Sequence, residues 1–348
     1  MPEYEDQPSY RVLSIQSHMV SGYCGNKAAT FPLQTLGFDV DILNTVQFSN
    51  HTGYSSWTGG RLSSSDVQQL FDGMETNGLM DHYTHVLTGY IGNFDILRTI
   101  EDKVKQLKTK SPKLIYVCDP VMGDGGRLYV APEIVPLYRD ILSVADVITP
   151  NQFEAEVLAD MKITSVKSAK QVIQRIHDFG VDRIVITSLA LPSQDIPASI
   201  ILSPGNDPLA KKNGTAAHDA DAQSEQPLYC LTSQRLPDGT LQQHLISFPT
   251  YEGYFTGTGD LFSALTVARL QDYPHSLAHA IFKVVSSVNA VTRLTWEHQR
   301  RLQGNGPLVT SKPDDANLVR ACELQVIKGK KYIEHPDMIG HDVLMVEL

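Results

Sequence analysis

The sequence predicts an α/β fold with a mostly parallel central sheet, helices on both of its faces and an antiparallel edge. Three observations carry this reading. Short continuous runs rich in Val and Ile alternate with longer helix-like stretches, as expected of strands buried on both faces and joined by right-handed crossovers. After Ile186 strand-like runs follow one another with no helix between them, which points to antiparallel pairing. Two long helical stretches then follow.

In chain order, strands are expected at Arg11–Gln16, Val40–Leu43, Val86–Leu87, Leu114–Cys118, Val147–Ile148 and Ile184–Ile186. Helices are expected between them, near Lys27–Leu36, Ser65–Thr76, Phe94–Thr109, Gln152–Asp160 and Ser168–Phe179. Ser199–Leu202, Leu228–Gln234 and Gln243–Phe248 read as the antiparallel edge, and Gly259–Gln271 and Ser276–His298 as the two long helices. Residues 203–227 hold Pro204, Gly205, Pro208, Gly214 and Pro227 among Ala, Asp, Asn and Ser. With almost nothing to bury, that segment reads as a mobile surface insertion. A second loop, at 303–315, runs through Gly304, Gly306 and Pro307. There is no internal repeat and no heptad run, so residues 1–348 are expected to form one domain.

Composition narrows the function. The 29 Lys and Arg against 39 Asp and Glu leave a net charge of −10, which argues against nucleic-acid and anionic-membrane partners because both need concentrated positive charge. No apolar run approaches the roughly 20 residues a bilayer span requires. Met1–Pro8 is acidic and polar, unlike a secretory signal. Cys24, Cys118, Cys230 and Cys322 lie far apart with no metal-like pairing. A reduced, cytoplasmic setting is therefore expected, with the cysteines as core packing.

Several segments carry chemistry. Thr256-Gly257-Thr258-Gly259-Asp260-Leu261-Phe262 opens a helix whose Leu261, Ala264, Leu265 and Ala268 mark one apolar face. Glycines before a helix start let free N–H groups turn outward, and with the helix dipole they form a site for phosphate oxygens. Asp260 in that first turn is placed to accept a hydroxyl proton as phosphate arrives. Taken alone, the segment reads more readily as a capped tight turn, since short Gly/Asp helix starts are common. In Thr149-Pro150-Asn151-Gln152-Phe153-Glu154, Thr149 reads as the helix cap and Pro150 as the first helical residue. Asn151 and Glu154 then share an exposed face at the C-terminal edge of the strand, where Glu154 is suited to Mg²⁺ and Asn151 to phosphate. A polar first turn is the plainer alternative.

Cys118-Asp119-Pro120-Val121-Met122-Gly123-Asp124 places two acidic residues in a Gly-rich turn after another strand, although Asp-Pro and Asp-Gly are also common turn chemistry. Thr187 and Ser188 offer hydroxyls after Ile184–Ile186. Ser17 follows the first strand, before Gly22-Tyr23-Cys24-Gly25-Asn26-Lys27 leads into a helix. The segment Gln47–Tyr54 suits the wall of a pocket for a flat polar molecule, or a surface turn. His51 lacks a second His at ligand spacing, so it is not expected to bind metal. P-loop, GxGxxG, HExxH, GxSxG and paired CxxC motifs are all absent from the sequence. Singly these segments are ambiguous. Jointly they follow successive strands, and so converge on one sheet edge.

RVLSIQSHMVSGYCGNKAATFPLQTLGFDVDILNTVQFSNHTGY at Arg11–Tyr54, VLTGY at Val86–Tyr90, YVCDPVMGD at Tyr116–Asp124, ADVITPNQFEAE at Ala145–Glu156, VITS at Val185–Ser188 and GTGDLFSA at Gly257–Ala264 together resemble the pyridoxal kinase family. The six ordered blocks are far more specific than GTGD, which the wider ribokinase-like superfamily shares. The resemblance implies a ribokinase-like three-layer sandwich that transfers the γ-phosphoryl group of ATP to the 5′-hydroxymethyl of pyridoxal, pyridoxine or pyridoxamine. It implies Asp260 as base, with the amides of Gly257, Thr258, Gly259 and Asp260 stabilising the transferring group. It further implies Ser17, Thr52 and Tyr90 at the pyridine substrate, with Val46 and Phe48 packed on the ring. Asp119, Asn151, Glu154, Thr187, Ser188 and Thr258 would serve ATP, with Glu154 and Asp119 at Mg²⁺. Asp124, Thr149 and Thr187 match positions near K⁺ or Na⁺. A cytoplasmic homodimer is implied as well.

The chain departs from the family pattern in places. The stretch Gly125-Gly126-Arg127-Leu128-Tyr129 is shorter than the corresponding ligand-covering loop of animal members, and Cys24 stands where an apolar Val is expected. Tyr251-Glu252-Gly253 matches a nucleotide-lining stretch only loosely, and residues 203–227 have no counterpart. Two other functions compete. One is a superfamily kinase for hydroxymethylpyrimidine or a sugar. The other is a non-catalytic B6-binding protein, which retention of Asp260 and its glycines speaks against.

Overall fold

The computed structural model describes residues 10–201, 228–303, 309, 311–339 and 342–348. The expected insertion at 203–227 lies outside the described residues, as do 304–308 and 310 of the expected loop. The first half of the described chain runs β1 (Tyr10–Met19), α1 (Asn26–Thr35), β2 (Phe38–Phe48), β3 (Gly59–Arg61), α2 (Ser64–Thr76), β4 (His85–Thr88) and α3 (Phe94–Lys110). It continues through β5 (Ile115–Cys118), β6 (Gly123–Asp124), β7 (Arg127–Leu128), α4 (Ile134–Ile141), β8 (Val147–Ile148), α5 (Gln152–Ala159), α6 (Val166–His177) and β9 (Arg183–Ala190). The last part holds β10 (Leu228–Arg235), β11 (Leu241–Ser247), α7 (Thr258–Asp272), α8 (Leu277–Gln303), α9 (Ala316–Ala321), α10 (Lys330–Glu334) and β12 (Leu344–Glu347).

Ten of these strands form one sheet in the order β12-β11-β10-β9-β8-β5-β4-β1-β2-β3. The six from β9 to β2 pair in parallel. At one end β10, β11 and β12 continue antiparallel, and at the other β3 pairs antiparallel with β2. Antiparallel edges therefore stand on both sides, not only on the one expected after Ile186.

Strand side chains alternate between two cores, as a period of two requires. Leu13, Ile15, Val86, Ile148, Ile184 and Ile186 pack with residues of α2 to α6. Val12, Leu87, Val117, Val147 and Val185 pack with α1, α7, α8 and α10. This is the expected three-layer arrangement of helices on both faces.

Three local expectations are corrected. Of the expected edge strand Ser199–Leu202, Leu202 lies outside the described residues and the rest is not a strand, because Ala198–Ile200 forms a 3₁₀ turn closed by Ile200 N–H on Pro197 O at 3.1 Å, and the fixed φ of Pro197 favours that turn. The α7 helix has no single apolar face: every residue from Leu261 to Leu270 is buried, as in a helix enclosed by its neighbours. Its N-terminus is therefore the part free to meet a ligand. At α5 the cap is Asn151, not Thr149, and Pro150 precedes the helix.

Candidate active site

The C-terminal ends of the parallel strands and the start of α7 meet at one edge of the sheet. Gly257 is the N-cap of α7, with φ 82° and ψ 4°. A Cβ there would lie 2.0 Å from Tyr23 O, so only glycine fits against the turn between β1 and α1. The first intrahelical bond joins Leu261 N–H to Gly257 O at 3.0 Å. The N–H groups of Thr258, Gly259 and Asp260 precede it and form an anion cradle.

Asp260 Oδ2 accepts the Gly25 N–H at 2.8 Å. Burial pushes this carboxyl above the ordinary aspartate range, against the opposing pull of the Gly25 N–H. Gly25, at φ 57°, packs on Ser17, one of the expected substrate contacts: a Cβ on it would lie 2.0 Å from Ser17 O and 2.6 Å from Ser17 Oγ. Ser17 and Asp260 thus flank a single glycine. Across from Ser17 the β1–β2 register shifts, with Gln16 opposite Asn44 and Ser17 opposite Val46. Thr45 is the extra residue of this bulge, a device that re-aims side chains beside functional sites. Val46 and Phe48 form a small apolar cluster with Met19 and the partly buried Cys24. The strand β2 extends to Phe48, so both ring-packing candidates are strand residues.

The remaining candidates fall into three groups. Tyr90, two residues past β4, is half-buried. Thr52 is exposed, and its carbonyl accepts Lys312 Nζ at 3.0 Å. The side chain of Thr52 is thus the expected substrate contact least supported by local packing. Thr187, Ser188, Asp124, Thr258 and Gly259 all line a cavity of about 660 Å³. Its wall includes Phe248, Tyr251, Tyr254, Phe255 and Phe262; Tyr251 belongs to the loosely matching stretch and Phe262 to the glycine motif, whereas Phe248, Tyr254 and Phe255 are found by neither. A second space of about 430 Å³ adjoins it, bordered by Asp124, Asn151 and Lys162.

Glu154 departs from the expected exposed face, being 3% exposed. Its Oε1 accepts the Met122 N–H at 2.9 Å and the Gly123 N–H at 3.4 Å, and Oε2 accepts the Asn151 N–H at 2.9 Å. Asn151 is equally committed: Oδ1 accepts the Glu154 N–H and Nδ2 donates to Gly123 O, both at 2.9 Å. This capping box locks the turn after Asp119 to the start of α5. Thr149 is buried, and its hydroxyl has no partner among the described residues.

The electrostatics are one-sided. Burial pushes Glu154 up to about 7 despite its three N–H donors. Burial, with Glu154 and Asp260 nearby, pushes Asp119 well above its usual range, opposed by the Ser263 hydroxyl. A Cβ on Gly259 would lie 3.7 Å from Asp119 Oδ2, so Asp119 stands behind the cradle. Among the described residues no Lys, Arg or His forms an ion pair with Asp119, Glu154 or Asp260. No three His, Cys, Asp or Glu among them converge tightly enough to hold a metal unaided. A site of this kind suits a cation shared with substrate phosphates and water.

Comparison with known proteins agrees with this fold. A family model described as phosphomethylpyrimidine kinase matches residues 68–213. A pyridoxal kinase of Ovis aries is 42% identical over 94% of this chain and 96% of its own length. A solved pyridoxal kinase of Leishmania donovani, in complex with ADP and ginkgotoxin, is 33% identical, with a TM-score of 0.78 over 98% of this chain and 100% of that one. The same Leishmania enzyme in complex with ADP and pyridoxamine gives a TM-score of 0.77 at 33% identity, again over 98% of this chain and 100% of that one.

Proposed function

The chain belongs to the pyridoxal kinase family, and we propose that its sheet-edge site carries out that family's reaction with Asp260 as the base. The reaction is ATP-dependent phosphorylation of the 5′-hydroxymethyl group of B6 vitamers. One observation carries the assignment of roles: Asp260 stands in the first turn of α7 and accepts the Gly25 N–H, and Gly25 in turn packs directly on Ser17. Asp260 takes the alcohol proton as the oxygen attacks the γ-phosphorus, and the amides of Gly257, Thr258, Gly259 and Asp260 meet the charge on the transferring group. ADP leaves and the vitamer 5′-phosphate remains. Val46, Phe48, Met19 and Cys24 supply a flat apolar ledge for the pyridine ring, with Ser17, Thr52 and Tyr90 as its polar contacts. Thr187, Ser188 and Thr258 face the nucleotide in the larger cavity, and Asn151 holds the phosphate-side turn through the capping box.

A divalent cation is part of this chemistry, and we assign it as Mg²⁺. The residues fit, because buried Asp119 and Glu154 repel each other with no basic side chain among the described residues paired to either. Asp119 and Glu154 would hold the ion through water and phosphate oxygens, where it neutralises charge on the nucleotide. Asp124, Thr149 and Thr187 are the proposed neighbours of K⁺ or Na⁺, the orphaned Thr149 hydroxyl being the supporting feature. The chain is further proposed to act as one cytoplasmic kinase domain and as a homodimer. Its four free cysteines suit a reducing compartment.

The test is steady-state phosphorylation of pyridoxal, pyridoxine, pyridoxamine and 4-amino-5-hydroxymethyl-2-methylpyrimidine with ATP and Mg²⁺. A higher kcat/KM for a B6 vitamer is expected, and a preference for the pyrimidine would overturn the substrate assignment. The matched residues 68–213 are what make the pyrimidine the relevant competitor.

A further inference from the structure

Glu323 joins three segments of the site that no sequence spacing connects. It is 8% exposed and forms a parallel bridge with Thr256, immediately before the cradle. Its Oε2 accepts the Tyr23 N–H at 2.9 Å. Its Oε1 accepts His51 Nε2–H at 3.0 Å and the Tyr54 hydroxyl at 3.3 Å. The other ring nitrogen of His51 accepts the Gly53 N–H at 3.0 Å, which assigns the proton to Nε2 and makes His51 the donor to Glu323. Burial pushes the Glu323 carboxyl up, but these donors outweigh it and hold the group below its usual value.

A hydrogen-bonded chain therefore runs from Gly53 through His51 and Glu323 to Tyr23. At one end lies Thr52. At the other, two residues past Tyr23, Gly25 donates to Asp260. The packing leaves little slack, since a Cβ on Gly22 would lie 2.4 Å from Glu323 Oε1 and one on Gly257 2.0 Å from Tyr23 O. Moving the carboxylate moves the turn that fixes the base.

We propose that Glu323 is a positioning residue for phosphoryl transfer, acting through Tyr23 and His51 to hold the Gly25 donor and the Thr52 loop against Asp260. This rests on the kinase reading above. Displacement of a reacting group by about 1 Å typically costs about a hundredfold in rate, and removing Glu323 frees two of the three segments that aim Asp260.

The experiment measures kcat and both KM values for wild type, Glu323→Ala, Glu323→Gln, His51→Gln and the double variant His51→Gln/Glu323→Gln, per folded enzyme. Glu323→Ala should lower kcat/KM for pyridoxal about a hundredfold, through both constants, while the KM for ATP stays at its wild-type value. Glu323→Gln sets an amide N–H against the His51 N–H, and His51→Gln restores an amide acceptor. The double variant should therefore lose less than the product of the single losses. Wild-type kinetics in both Glu323 variants, even with a lowered Tm, would overturn the proposal, as would equal rises in both KM values or strictly multiplicative losses. Absence of pyridoxal phosphorylation by wild type would overturn the kinase reading and this proposal together, whereas the preceding outcomes overturn this one alone.

Discussion

Asp260 has to be ionised to take a proton and raised enough to hold it, and its surroundings supply both conditions. Burial lifts it and the Gly25 N–H favours the charged form. Asp260→Asn keeps the shape and removes the base, so kcat should fall by about 10²–10⁴ while ATP binding, measured by calorimetry, persists. The same elevation places the acid limb of the kcat/KM profile above the ordinary aspartate pKa: activity falls as pH drops through the raised value, and a limb near that of a free carboxylate would contradict the role. Asp119, buried and without a cationic partner among the described residues, should matter through the metal. Asp119→Asn is expected to raise the Mg²⁺ concentration for half-maximal rate by about tenfold or more, and an unchanged titration would remove it from the cation site. At this scale the sequence singles out Asp260 and Asp119, because glycines and acids beside strand ends have a direct chemical reading, and Ser17 through the resemblance, and the structure brings all three to one sheet edge. Glu323 and the wall residues Tyr254 and Phe255 were not legible. Their roles arise from contacts across as many as 300 residues, and no local spacing encodes those.

The α5 helix shows what a local signal specifies and where it misleads. Thr-Pro-Asn-Gln-Phe-Glu reads as capped by Thr149, and the structure takes Asn151 with Glu154 instead. The choice follows from Glu154 also serving Met122 and Gly123, tertiary contacts the six residues alone do not reveal. Asn151→Ala should cost about 1 kcal/mol of stability in denaturant unfolding, and it should also loosen the turn bearing Asp119. The other end of the site rests on the α7 cap. Gly257→Ala brings a Cβ to within 2.0 Å of Tyr23 O at a positive φ, so kcat should drop with the fold retained by circular dichroism. Wild-type kcat in that variant would show that the cradle tolerates displacement. The alternation of strands and helices was readable because strands covered on both faces are uniformly apolar. By contrast, β12 (Leu344–Glu347) was not read, since four residues at an edge have no period to detect and gain their identity only by pairing with β11.

Across the whole molecule, one sheet spanning both cores brings together residues from 17 to 323 at a single edge, and the charge gathered there has a cost. Glu154 ionises near pH 4.5 in an unfolded chain but near 7 when folded. Between those values the folded state binds more protons, so unfolding free energy should fall as pH rises from about 4.5 to about 7. Mg²⁺ with a nucleotide should offset that loss, raising Tm more at pH 8 than at pH 5. An equal rise at both would argue against a cation beside Asp119 and Glu154. The central claim is spatial: one carboxylate must meet the vitamer alcohol while the amides before α7 meet the phosphate. A crystal structure with ADP, Mg²⁺ and pyridoxal addresses it most directly. The expected result is the 5′-oxygen about 2.6–3.2 Å from Asp260 with the nucleotide phosphates facing Gly257–Asp260. Pyridoxal bound with its hydroxymethyl group turned away from Asp260 would contradict the account.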